Sequence, residues 1–198
     1  METILIIIAI AAIAGIAIWW FMSQQKKDKP RSAKDPFSSA DDDSVRGNPR
    51  TIKPGDIVTV RERDYMVRGL IHLTEGSYTW TEALLDTGTG DRMWLSVEDD
   101  PELEVVIWRE QKATTLTPGP RTVELDGRVY SSDESGSARF ETEGTTGLAA
   151  EGTMRYHDYE SDDDMRLSFE DFAGGKWECA RGEVLSRAEF RIYSQADE

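Results

Sequence analysis

Five acidic residues fall within seven positions of this 198-residue chain: Asp158, Glu160, Asp162, Asp163 and Asp164. Hard cations take oxygen ligands, and calcium loops space carboxylates at alternate positions around a glycine and a distal glutamate. This stretch has neither glycine nor distal glutamate, so it offers at most a site for a cation or a polyamine, and a solvated loop explains it with no further assumption. A second candidate comes from a repeated pattern. Met93-Trp94-Leu95-Ser96-Val97-Glu98-Asp99 and Met165-Arg166-Leu167-Ser168-Phe169-Glu170-Asp171 share M-x-L-S-x-E-D. Glu98 and Glu170 thus occupy matching places. Two carboxylates can divide acid and base roles when their surroundings separate their pKa values. As strand-end residues, however, they are expected to serve a turn or a neighbouring arginine.

The remaining chemistry is sparse. Two histidines, His72 and His157, and one cysteine, Cys179, lie too far apart for a zinc site. Each histidine lies inside a candidate strand and reads as a strand residue on a half-buried or solvated face. Cys179 is flanked by carboxylates that raise a thiol pKa, which argues against a nucleophile. No G-x-S-x-G elbow, phosphate-binding loop or dinucleotide fingerprint is present. We therefore expect no catalytic residue, no cofactor and no enzymatic activity. Trp80, Trp94, Trp108 and Trp177 have the makings of a ligand groove, but in strands such residues usually pack a core.

The elements that position these groups read as β from residue 51 onward. Pro54-Gly55-Asp56 feeds an alternating run from Ile57 to Val60. Further candidate strands are Tyr65 to Leu73 and Tyr78 to Leu85, joined at Glu75-Gly76-Ser77, then Met93 to Val97 and Val105 to Trp108. Pro118-Gly119-Pro120 breaks the chain. Beyond it come Val123 to Tyr130, Ala138 to Glu143, Met154 to Tyr159, Leu167 to Phe169, Trp177 to Ala180 and Phe190 to Tyr193. The expected domain is mainly β: two related antiparallel meander or small-barrel halves, about 51–112 and 121–193, packed as one unit over 51–198.

The N-terminus is of another kind. Thr3 to Met22 carry no charge, and about 20 helical residues span a bilayer core. Only Met1 and Glu2 precede the run, so the basic n-region of a signal peptide is lacking and an uncleaved single-pass anchor is expected. Lys26, Lys27, Lys29, Arg31 and Lys34 follow, which places the C-terminal domain in the cytoplasm at the inner membrane, with Trp19 and Trp20 at the interface. Residues 23–50 read as a disordered linker. Residues 1–34 carry five Lys/Arg against two Asp/Glu, so residues 35–198 hold a formal −18 of a chain whose total is −15. Such a domain repels nucleic acid and anionic lipid heads alike, while the basic flank clings to them.

Taken together, Pro54-Gly55-Asp56, the stretch Tyr65 to Leu70, Trp80-Thr81-Glu82, Trp94 to Glu98, Tyr156 to Tyr159, Leu167 to Glu170 and Trp177 resemble a bacterial family, domain of unknown function 4178. The resemblance covers roughly Lys53 to Tyr193 and implies no established activity. Because such domains are encoded near envelope-stress and polyamine-related genes, it implies envelope biology without giving any residue a role. The expected function is a membrane-anchored cytoplasmic module that binds a protein partner or acts as a scaffold in an envelope-associated complex. The alternative is a cation or polyamine sensor built on the loop around Asp162, and a hydrolase using Glu98 and Glu170 ranks third.

Overall fold

Eleven antiparallel strands supply nearly all regular structure in the computed structural model, which describes residues 43 and 45–195 apart from 100, 113, 114 and 173. The expected membrane span and most of the expected linker lie outside the described residues, as do Trp19, Trp20, Lys26, Lys27, Lys29 and Arg31. Among the described residues no helix is long and apolar enough to cross a membrane. The part of the linker stretch that is described ends in a short 3-10 helix, Pro49–Thr51, with Pro49 buried and Asn48 accepting the Arg50 amide. Arg50 forks onto both carboxylate oxygens of Asp99 at 2.6 and 2.8 Å.

The first five strands are β1 (Ile57–Val60), β2 (Arg63–Glu75), β3 (Tyr78–Asp86), β4 (Arg92–Asp99) and β5 (Leu103–Glu110). Then come β6 (Thr122–Leu125), β7 (Arg128–Gly144), β8 (Glu151–Glu160), β9 (Met165–Asp171), β10 (Glu178–Val184) and β11 (Phe190–Tyr193). The single run expected from Val123 to Tyr130 is therefore a hairpin. Asp126 and Gly127 both have positive φ, 53° and 78°, which is the primed two-residue turn that Asp-Gly favours. Likewise the separate strand expected at Ala138 to Glu143 is the second half of the 17-residue β7.

The two halves are not separate sheets packed together, as the sequence reading had it. They form one hydrogen-bonded sheet in the order β11-β1-β2-β3-β4-β5-β10-β9-β8-β7-β6, and a further β2–β7 pairing closes eight of these strands into a ring. β2 makes this possible by changing partners along one edge. Its residues Arg63 to Met66 pair with β1, and after a bulge between Val67 and Gly69, residues Gly69 to Thr74 pair with β7. Bulges bend a strand and commonly mark barrel corners. At this corner Gly69 faces Gly144, and a Cβ on Gly69 would sit 2.7 Å from the backbone of Glu143 and Thr145. Gly144 itself has φ +71°, so neither position accepts a side chain without strain.

Period-2 alternation gives the ring an inner and an outer face. Two apolar clusters occupy the outer face. One gathers Val58, Tyr65, Val67, Leu70, Leu85, Leu95, Ile107 and Phe190 under β1 and β11. The other gathers Val123, Tyr130, Tyr159, Leu167, Phe169 and Cys179 under β6 and the start of β7. Full burial of each such side chain is worth about 1.5–3 kcal/mol, so these two cores hold the ring's walls in place. The Pro54-Gly55-Asp56 turn pins the C-terminus to the first core: the buried Asp56 carboxylate accepts the amides of Lys53 at 2.9 Å and Gln195 at 3.1 Å. A third apolar cluster, including Ile71, Leu73, Phe140 and Met154 with Trp94 and Phe172 against it, lies on the inner face and fills part of the lumen.

The ladder registers of the halves correspond. Trp80 faces Glu98 and Glu82 faces Ser96 across β3–β4. Tyr156 faces Glu170 and Asp158 faces Ser168 across β8–β9. β7, like β2, carries a register shift, between Ser132 and Ser135, though at a different place along the ladder.

Candidate functional site in the barrel lumen

Because the alternation runs unbroken through β3, β4, β8 and β9, all eight of those register-matched residues point inward. They line one cavity of about 330 Å³ on the inner face. Its wall carries eight carboxylates, Glu75, Glu82, Glu98, Glu104, Asp133, Glu134, Asp158 and Glu170, against one guanidinium, that of Arg166. The arginine is already engaged, with Nη1 at 3.0 Å from Glu160 and Nη2 at 3.4 Å from Glu104. Tyr78, Trp80, Trp108, Tyr156 and Tyr159 supply the aromatic share of the lining.

Hydrogen bonds hold this lining in place. Trp108 Nε1 donates to Ser96 Oγ at 2.9 Å, and Trp80 Nε1 donates to Glu82 Oε1 at 3.3 Å. Trp80 and Tyr156 meet edge to face with centroids 5.8 Å apart, so the equivalent aromatics of the two halves touch each other. The Tyr156 hydroxyl donates to Glu75, which also accepts the Ser137 amide at 3.2 Å. Gly136 leaves room for that contact: a Cβ there would lie 2.5 Å from a Glu75 oxygen and 2.7 Å from the Tyr156 hydroxyl. Burial and the donation to Glu75 hold the Tyr156 phenol far above its ordinary range, so it stays neutral.

So much negative charge in a small enclosed space must be partly protonated. Burial raises the Glu82 carboxyl above its ordinary value, against the hydrogen bonds from Trp80 and Glu170. Glu170 is raised further, first by burial and then by the charges of Glu82 and Asp158. The two carboxyls share a hydrogen bond across the lumen, which requires a proton on one of them. Burial pushes Asp158 to about 7, with the Ser168 hydroxyl opposing the shift and Glu82, Glu134 and Asp133 adding to it. Asp158 Oδ1 is shielded from solvent and has no hydrogen-bond partner among the described residues. An orphaned buried acceptor costs about 1–3 kcal/mol.

The residues singled out in the sequence are dispersed. Of the acidic stretch, only Asp158 enters the lumen. Glu160 pairs with Arg166, and Asp163 accepts from Ser161 at 2.6 Å and pairs with Arg128 at 2.7 Å, which holds its carboxyl below the ordinary range. Asp162 and Asp164 are exposed, Asp164 with φ 61°. Among the described residues no group of three or more His, Cys, Asp or Glu side chains is placed to hold a metal ion. Glu98 and Glu170 do line one cavity, where the sequence reading had them serving a turn or an arginine. Trp80 and Trp108 line it as well. Trp94 packs in the inner apolar cluster, and Trp177 packs against the outer one, with the Arg155 guanidinium 4.9 Å from its ring.

His72 lies outside the lumen, 3.7 Å from Glu143. His157 is bonded to Ser132 Oγ at 2.9 Å and stacked on Tyr159, and burial lowers its pKa. Cys179 is buried, and burial rather than neighbouring charge pushes its thiol up to about 11. Sequence reasoning missed Glu82 as a site residue and the inward role of Asp158. The signal was present as an aromatic-x-acid pair, Trp80-x-Glu82 and Tyr156-x-Asp158, one strand before each copy of M-x-L-S-x-E-D.

The family model for the Domain of unknown function (DUF4178) matches residues 53–187, which include every strand of the ring. The chain belongs to this family. It is also similar to the uncharacterized protein Rv2597 of Mycobacterium tuberculosis and the uncharacterized protein Mb2628 of Mycobacterium bovis. Each is 38% identical over 203 aligned residues, covering 98% of this chain and 97% of the relative. No solved structure matches.

Proposed function

We propose that this DUF4178 domain is a non-enzymatic binding module that takes a small organic cation into its barrel lumen. One observation carries the reading: the buried, unpartnered Asp158 Oδ1, in a cavity with eight carboxylates and one arginine. Ion-pairing acceptors and aromatic walls are the two devices by which proteins hold organic cations. The matched registers support treating the halves as copies of one unit, and a site on the axis between two copies follows from that. This moves the cation or polyamine reading from the loop around Asp162 into the lumen.

The apolar run 3–22 and its basic flank support a single-pass anchor at the inner membrane with the C-terminal domain in the cytoplasm. A protein partner in an envelope-associated complex then reads the loaded state. Isothermal titration of the full-length chain in mild detergent with n-butylammonium, putrescine and spermidine tests the binding. Saturable binding that Asp158→Asn weakens at least tenfold is expected. The reading fails if none of the three binds at millimolar concentration, or if the variant binds as well as the parent.

A further inference from the structure

We infer that the lumen takes a hydrogen-bond-donating ammonium group in exchange for a proton, with the ammonium seated against Asp158. This rests on the cation-binding reading above and adds which cations enter and what leaves.

Two of the four pseudo-equivalent positions differ, Trp80 against Tyr156 and Glu82 against Asp158, and the second difference bears on the site. Glu82 on β3 reaches Glu170 on β9 across the lumen, and the two carboxyls share a hydrogen bond. The counterpart of Glu82 is Asp158, and the counterpart of Glu170 is Glu98, by the ladder registers. Aspartate is one methylene shorter, by about 1.5 Å given the length of a carbon–carbon bond. Asp158 therefore reaches less far from its strand than Glu82 does, and its Oδ1 has no hydrogen-bond partner among the described residues. At Glu82 a proton bridges two carboxyls. At Asp158 an acceptor is met by no donor.

The surroundings set the ligand class. Asp158 Oδ1 can only accept when ionised, and Ser168 already serves the same carboxyl. The groups facing the cluster are acidic on nearly every side: Asp133 and Glu134 from β7, Glu82 from β3 and Glu178 from β10, with Arg166 of β9 the cation in the lining. An N–H-bearing ammonium satisfies the orphan acceptor. A quaternary ammonium brings charge and no donor, and so leaves it unsatisfied. In the exchange the ammonium enters with its full charge, a neutral carboxyl of the Glu82, Asp158 and Glu170 cluster ionises, its O–H electron pair stays on oxygen, and the proton passes to bulk buffer. Net charge in the lumen is unchanged. That balance matters in an enclosed space, where an unmatched charge is costly.

The test is calorimetry on the full-length chain with n-butylammonium and tetramethylammonium chlorides, in phosphate and in HEPES, which differ in ionisation enthalpy, from pH 5.5 to 8.5. The expected result is heat that depends on buffer, with release approaching one proton per n-butylammonium at pH 6.5. Affinity should rise up to tenfold per pH unit and level off at alkaline pH, with tetramethylammonium at least tenfold weaker. Glu170→Gln, whose amide donates permanently to Glu82, should reduce the proton release and flatten the pH dependence. Should that variant not fold, infrared spectroscopy of the parent replaces it: the C=O stretch of a protonated carboxyl present at pH 7 should diminish when n-butylammonium is added. Saturable n-butylammonium binding with buffer-independent heat and pH-flat affinity overturns the exchange, as does an unchanged carboxyl band. No saturable binding of n-butylammonium, putrescine or spermidine overturns the cation-binding reading itself, and this inference with it.

Discussion

Asp158→Asn should make the protein more stable at pH 8 and leave it nearly unchanged at pH 4.5. Asparagine has the same shape and keeps the contact with Ser168, but it cannot ionise. The Asp158 carboxyl sits at about 7 in the folded protein against an ordinary value of 3.8. A raised carboxyl pKa means that the unfolded chain gives up its proton more readily than the folded one. Stability is therefore intact below the unfolded value, falls as pH rises between about 4 and about 7, and stays reduced above that. At about 1.4 kcal/mol per pKa unit the full penalty is about 4.5 kcal/mol, and relaxation around the charge brings the realistic figure to about 2 kcal/mol. For a domain of this size that corresponds to a rise in Tm of about 4–8 °C at pH 8. Differential scanning calorimetry of parent and variant at both pH values measures it. A variant that is destabilised at pH 8, or stabilised equally at both pH values, refutes the assignment of Asp158 as a buried carboxyl opposed by its neighbours.

Other consequences are simpler to read. Gly136→Ala places a methyl where Glu75 meets Tyr156, and should cost about 1–3 kcal/mol in urea unfolding by overpacking while displacing the tyrosine that forms the lumen wall. Arg155→Ala removes the 2.5 Å ion pair to Asp171, whose side chain is fully buried, together with the stacking on Trp177; a loss of about 3 kcal/mol is expected by denaturant titration, and Arg155→Lys should restore only part of it. Cys179 should resist thiol reagents at pH 8 in the native protein and react only on unfolding, because it is buried and its thiol lies near 11. The sidedness of the proposed anchor is for that reason better tested with a cysteine introduced at an exposed position such as Asp162.

Local signals in the sequence carried the strands well, because alternation and turn residues are local. Gly76-Ser77 turns the chain between Glu75 and Tyr78 as the reading of those residues requires. Asp126-Gly127 is an equally local turn signal, although the alternation on either side reads as one strand from Val123 to Tyr130. The closure was not legible. Nothing local to Gly69 or Gly144 announces that they face each other 75 residues apart, since that pairing depends on where β2 bends. The site went astray for the same reason. Density of charge along the chain pointed to the Asp162 loop, whereas the carboxylates that meet come from β2, β3, β4, β5, β7, β8 and β9 and are sparse in each. Glu98 and Glu170 do face an aromatic each across their ladders, Trp80 and Tyr156, and the lumen they share was the part not legible along the chain.

The change of partner along β2 has a bearing on how the molecule comes to exist. One strand serves two neighbours on a single edge, β1 early in the sequence and β7 late, while β1 itself waits for β11, the last strand of all. The first 110 residues thus cannot finish their own core, which borrows Phe190 and Ile192 from the end of the chain. A ribosome must therefore release the chain through Tyr193 before this core can close, and the long sequence separation of these pairings makes for slow folding. Halves made separately should have no stable existence, and the protein should be gained or lost as a whole.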